Sequence, residues 1–207
     1  TVRRDISELV REGWLERHPG KGTFVKREHV ENLGRLTGFF EEIRSSGHRP
    51  SARLLSTREL TVTTALLNRY PELAVFGGQK LFLVEKVHLM DDNPVVYVKS
   101  FWPVKIGRSL SQYDLQQRGL YEIVQNDLDM ALETARQDIS AGAADAEVAA
   151  HLGLAPGAPV LVMSRLVYSS ERPVEYSYNA YRPDRYKYRV ELKRDLPNPA
   201  RGVIIEP

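Results

Sequence analysis

The chain repeats itself. Residues 81–97, LFLVEKVHLMDDNPVVY, match residues 160–176, VLVMSRLVYSSERPVEY, at a constant offset of 79. In each copy apolar residues alternate along a strand, a polar turn ends in a proline (Asn93-Pro94, Arg172-Pro173), and a second strand returns. A helix is expected ahead of each hairpin, over residues 59–68 in the first copy and 144–152 in the second. A third is expected between them, around residues 121–125. Two such units side by side predict one mainly antiparallel sheet covered by helices, an α+β domain.

With 207 residues the chain has room for that domain and a smaller one. An apolar share of 42% and a charged share of 27% are those of a globular protein in water. No apolar run approaches the roughly 18 residues of a membrane-spanning helix, and TVRRDISELV lacks the pattern of a secretory signal. A cytoplasmic protein with no membrane partner is expected. Cysteine is absent, which removes disulfides, thiol catalysis and thiolate metal sites together. The net charge of +2 lies wholly in residues 1–29, where seven Lys and Arg face five acids. A polyanion-binding element would sit there.

Val2, Ile6, Leu9 and Val10 follow the spacing of one helical face, with Arg3, Arg4 and Arg11 off it, and Gly13 is placed to end the helix. Residues 14–17 and 23–25 read as two short strands, and His18-Pro19-Gly20-Lys21-Gly22 turns between them. A helix followed by a hairpin with a basic tip is the second half of a winged helix-turn-helix. Thr1 would lie inside the recognition helix, so residues are expected to precede it. Residues 26–32 form a polar connector. Leu36, Phe39, Phe40 and Ile43 make a helical stripe ending at Gly47, and residues 48–51 form a loop. The division expected is a partial winged helix over 1–26, a linker over 27–35 and a second domain over 36–207.

The first 25 residues, T-V-R-R-x-I-x-x-L-V-x-x-G-W-L-x-R-x-x-G-x-G-T-F-V, resemble the end of the GntR-type winged helix. From about residue 36 to 191 the chain resembles the UTRA effector domain of that family's HutC branch. The stretches that carry this likeness are E-T-A-R-Q-D-I from Glu133, L-G-L-A-P-G-A-P-V-L from Leu152, R-P-V-E-Y-S from Arg172 and Y-R-P-D-R-Y from Tyr181. The resemblance implies a chorismate-lyase-like fold for the second domain. It also implies a homodimer on double-stranded operator DNA, a small-molecule effector, and repression relieved by that effector. It assigns the stretch from Thr1 to operator contact. The helix would reach base edges and phosphates with Thr1, Arg3 and Arg4, and the wing would approach the backbone with Arg17, Gly20, Lys21 and Gly22.

An effector pocket needs a few polar groups aimed into a mostly apolar cleft. Lys86 aligns with Arg165 across the repeat, and both are cations in otherwise apolar strands, which points to an ion pair or an anionic ligand. Resemblance to phosphosugar-sensing members adds Ser51, Glu175 and Tyr181, and Arg136 in the E-T-A-R stretch is a further candidate. Where those members tend to carry two arginines two residues apart, this chain has Lys86 and His88. Lysine lacks the bidentate fork that suits phosphate, and histidine can be neutral. A carboxylate, phosphonate or imidazole-type ligand therefore stands beside a phosphosugar. An internal salt-bridge network of Lys86, Glu175 and Arg165 is the competing structural reading.

Histidines 18, 29, 48, 88 and 151 are scattered without metal-ligand spacing, so no metal and no cofactor are expected. Two other functions remain open. One is a DNA-binding regulator whose larger domain only dimerises. The other is a lyase-like enzyme, disfavoured because no nucleophile context, phosphate-cradling loop or paired carboxylates are present.

Overall fold

The computed structural model describes residues 2–11, 15–18, 20, 22–25, 29–32 and 35–189. Thr1 and Lys21 lie outside them, and so does the side chain of Arg3. The first element is the amphipathic helix α1 (Val2–Arg11). The strands β1 (Leu15–His18) and β2 (Gly22–Val25) follow as an antiparallel hairpin, in register from Leu15 opposite Val25 to His18 opposite Gly22. The helix lies against β1. The connector contains a strand, β3 (His29–Asn32), whose partner is the last described strand.

The rest is built on six strands: β4 (Pro50–Thr61), β5 (Lys80–Met90), β6 (Asn93–Pro103), β7 (Thr134–Ala143), β8 (Pro159–Ser169) and β9 (Arg172–Tyr181). They form one antiparallel sheet in the order β4-β5-β6-β9-β8-β7. The two repeat copies, β5–β6 and β8–β9, meet at its centre. Each copy is larger than its hairpin: a strand, a helix and the hairpin, with β4 and β7 at the two edges. Both hairpins turn on two non-glycine residues with positive φ, Asp91 (50°) and Asp92 (65°) in one, Ser170 (46°) and Glu171 (64°) in the other. That is the twist-matched geometry of a two-residue hairpin loop.

Helices cover both faces. α2 (Phe39–Ser45), α4 (Val104–Leu110) and α5 (Leu120–Asn126) bury one face, packing on Phe82, Val84, Val96, Val98 and Trp102. α3 (Thr64–Arg69), a 3-10 turn over Pro71–Phe76 and α6 (Ala146–Leu152) bury the other, against Leu81, Leu83, Val87, Tyr97 and Phe101. Side chains thus alternate between two cores, which is why β5 and β6 read as continuous apolar runs. The chain closes with β10 (Tyr186–Arg189), parallel to β3 with Tyr186 opposite His29. No described helix is long and apolar enough to cross a membrane.

Two expectations are corrected here. Residues 59–68 are not one helix: 59–61 finish β4, and α3 starts at Thr64, with the hydroxyl of Thr63 accepting from the Leu66 amide. Pairing with β5 along the whole of β4 overrides the helical propensity of Arg58, Glu59 and Leu60. Residues 48–51 are not all loop, because Pro50 and Ser51 open β4 opposite Met90 and Leu89.

Candidate functional site

A cavity of about 560 Å³ lies between the sheet and the helices α2 and α5. Its floor is a set of side chains sharing one face of four strands. His88 comes from β5, Val98 from β6, Glu175, Ser177, Asn179 and Tyr181 from β9, and Met163 and Arg165 from β8. The four from β9 occur at every second residue, so the pleat aims all of them the same way. The roof is held close by glycine. The N-cap residues of α2 and α5 are Gly38 and Gly119. A Cβ on Gly38 would stand 3.2 Å from Tyr121, and one on Gly119 would stand 3.0 Å from Phe40.

The polar floor is tightly wired. The Trp102 indole N–H donates to Ser100 Oγ (2.6 Å), and Ser100 donates on to Glu175 Oε1 (2.5 Å). The Tyr121 hydroxyl of α5 donates to Glu175 Oε2 at 2.6 Å. Burial pushes the Glu175 carboxyl up, opposed by these two bonds and by the nearby cations Arg165 and Lys86. Arg165 donates from Nε to Gln137 Oε1 (2.7 Å) and from Nη1 to the Thr37 carbonyl (3.0 Å), tying the floor to the segment before α2. Asn179 Nδ2 donates to the Met163 carbonyl and to Ser177 Oγ, each at 3.2 Å.

His88 is different. It is 9% exposed, and neither ring nitrogen has a hydrogen-bond partner. Phe39 packs over its ring at 4.5 Å between centroids, and Phe40 meets it edge-on at 5.7 Å. Burial, with the Lys86 charge beside it, holds the imidazole well below its ordinary pKa and therefore neutral. Lys86 is wholly buried behind the cavity wall. Its amine donates to the Leu115 carbonyl (3.4 Å) and lies 5.5 Å from the Phe40 ring centre.

Of the seven pocket candidates, His88, Arg165, Glu175 and Tyr181 line this cavity, and Lys86 stands behind it on the same face. Two do not. Ser51 pairs with Leu89, and Arg136 pairs with Leu166, so alternation turns both to the opposite side of the sheet. The Arg136 side chain is 65% exposed, beside Asp138 at 3.9 Å. Its neighbour Gln137 is the one that reaches Arg165. Sequence reading missed Gln137, Tyr121, Ser177 and Asn179. The last two were signalled by the two-residue spacing Glu175, Ser177, Asn179, Tyr181.

The DNA-binding candidates fall on the first elements. Arg4 is exposed on α1, Arg17 is exposed on β1 opposite Thr23, and Gly20 and Gly22 hold positive φ (76° and 107°) around the hairpin tip. Among the described residues no group of three or more His, Cys, Asp or Glu side chains could hold a metal ion.

The UTRA domain family matches residues 45–187. The HTH-type transcriptional repressor NagR of Bacillus subtilis is 31% identical over 194 residues, spanning 91% of this chain and 76% of that protein. The HTH-type transcriptional regulator GgaR of Escherichia coli is 26% identical over 192 residues, spanning 92% and 75%. The crystal structure of PhnF from Mycobacterium smegmatis superposes with a TM-score of 0.70 at 23% identity, over 93% of this chain and 84% of that one. The effector domain of PhnF alone gives 0.68 at 20% identity, over 79% and 100%. These two likenesses carry the fold. The domain match spans both repeat copies, and the NagR match runs over nearly the whole length. The chain belongs to the UTRA-domain family of HTH-type transcription regulators.

Proposed function

We propose that this regulator is a cytoplasmic repressor that binds double-stranded operator DNA as a homodimer. Its operator affinity changes when a small polar or anionic metabolite enters the cavity under α2 and α5. His88 carries this reading: a neutral imidazole, buried, lining the cavity, with both nitrogens unsatisfied. Leaving such groups unpaired costs a fold about 1–3 kcal/mol each. A ligand that supplies the missing bonds favours the filled state, and preference for one of two states is what a switch requires. Glu41 and Glu122 line the roof, where Glu122 is paired with Arg44, so a ligand's anionic group would be met on the floor, by Arg165 with Lys86 behind it.

Thr1, Arg3 and Arg4 would meet the operator from the helix, and Arg17, Gly20, Lys21 and Gly22 from the wing. Phosphate contacts of this kind make affinity fall steeply with salt. The protein is not an enzyme in this reading. Its one buried floor carboxyl is already engaged by two hydroxyl donors and serves to organise the site.

A thermal-shift panel of sugar phosphates, phosphonates, dicarboxylates, amino acids and imidazole compounds tests the proposal. A ligand at 100 times its Kd contributes about 2.7 kcal/mol, seen as a raised midpoint. His88→Leu is expected to raise the ligand-free midpoint and to lose the ligand's shift. The same ligand should alter affinity for DNA selected by this regulator from a random pool. A panel without any shift would sink the effector reading and leave a regulator whose larger domain only dimerises.

A further inference from the structure

The charges around the cavity are unevenly placed. Three carboxylates line it, Glu41, Glu122 and Glu175, against two guanidinium groups, Arg44 and Arg165. Glu175 lies on the floor, where two hydroxyls donate to its oxygens and Arg165 is close enough to offset its charge. Glu122 of α5 is held by Arg44 at 2.9 Å and approached by Arg118 at 3.7 Å. Glu41 stands apart. It is exposed in the first turn of α2, and no ion pair or hydrogen bond engages its carboxylate among the described residues. The unbalanced negative charge of the cavity is therefore on its roof, while the floor carries Arg165 with Lys86 behind it.

We propose that the effector is a zwitterion, with its anionic group on the floor at Arg165 and an ammonium group against Glu41 on the roof. The proposal rests on the effector reading above and assigns that ligand its charges. A bare anion would bring like charge up to Glu41 in a cleft that the ligand itself clears of water, where such repulsion is least screened. A ligand without charge would leave Glu41 unpaired and the field of the floor unused. A zwitterion meets both. His88 fits the same class of ligand. It is 9% exposed, lines the cavity under Phe39, two residues before Glu41, and has no partner at either nitrogen. As a neutral imidazole it offers one N–H and one lone pair but no charge, which suits a hydroxyl or amide group of the ligand and leaves the charged ends to Arg165 and Glu41. Glu41 is then a specificity-determining residue, attracting amine-bearing ligands and repelling their amine-free counterparts.

Isothermal titration of this chain with matched pairs tests the assignment: γ-aminobutyrate against butyrate, glucosaminate against gluconate, and phosphoethanolamine against ethyl phosphate. Within each pair the ammonium group is the difference in charge. At least one amine-bearing probe is expected to bind, and to bind roughly threefold to tenfold more tightly than its twin, the scale of a partly exposed ion pair. Glu41→Gln should abolish that preference by weakening the amine-bearing member alone, and Glu41→Lys should reverse it. An acid that serves only to start the helix would shift the ligand-free thermal midpoint and leave the preference untouched. Tighter or equal binding of the amine-free twins by wild type, or a preference that survives both substitutions, would overturn the zwitterion and leave the effector reading standing. Failure of every probe to bind would also overturn it, and the wider thermal-shift panel then decides separately whether an effector exists.

Discussion

Lys86 is wholly buried, and its amine donates to the Leu115 carbonyl and lies by the Phe40 ring, within the field of Glu175. Desolvation brings its pKa down from 10.5 to about 7, with Glu175 opposing. Below about 7 both folded and unfolded chains hold the proton, and the full cost of burying the charge is present. Between about 7 and 10.5 the unfolded chain binds the proton more than the folded one does, so stability rises with pH across that window. Glu175 and His88 are the titratable groups whose fields meet its own. Lys86→Met is therefore expected to stabilise the chain by a few kcal/mol at pH 6, with the gain shrinking toward pH 10. Denaturant unfolding at several pH values measures this, and a difference that stays flat with pH would refute the account. The sequence marked Lys86 and Arg165 as cations in apolar strands, and both are buried on one face of the sheet. It could not separate the cation that lines the cavity from the one behind it, because that depends on where Phe40 of another element lands. Arg136 went astray for a simpler reason: a motif match ignores strand parity, and one residue of offset reverses the face.

Whole elements were most legible where local pattern and tertiary pairing agree. The repeat, the hairpin turns, α5 and α6 were readable from alternation and from turn and capping residues such as Asp145, whose carboxylate accepts from the Val148 amide. Even the register breaks repeat. Pro94 and Pro173 stand at equivalent positions, opposite shifts after His88 and Val167, where a residue without an N–H enters the ladder. The edge strand β4 was not legible, since a half-exposed strand rich in Arg, Glu and Leu carries a helical composition and gains its structure only from β5. Helix α4 was equally hidden, and its placement hangs on Gly107, where a Cβ would fall inside the Phe82 side chain of β5. Gly107→Ala should therefore push α4 off the sheet and cost about 1–3 kcal/mol as overpacking. A thermal midpoint equal to that of wild type would mean that α4 is free to shift, and that the close approach to β5 is not required.

Across the molecule, the parallel pair β3–β10 ties the connector after β2 to the segment that follows β9, a contact between residues 157 apart in sequence (Tyr186 opposite His29) that no local pattern announces. Tyr186 is the first residue of β10 and sits at a junction. Its ring packs at 4.4 Å on Tyr181 of the cavity floor, and its hydroxyl donates at 2.7 Å to Glu42, a buried residue of the roof helix α2. A ligand that changes the spacing of floor and roof must act on Tyr186, and through the pairing with His29 on the segment that leads to the wing. Tyr186→Phe keeps the ring and deletes the bond to Glu42. The variant is expected to bind effector within about threefold of wild type, since no cavity-lining group is lost. The ligand-induced change in operator affinity, ordinarily about 1–3 kcal/mol for coupled sites, should fall by half or more. Operator titrations with and without saturating ligand give that coupling directly for both proteins. Equal coupling in the two would mean the signal leaves the sensor by another route, whereas lost coupling with effector affinity retained would place the transmission at the Tyr186–Glu42 bond.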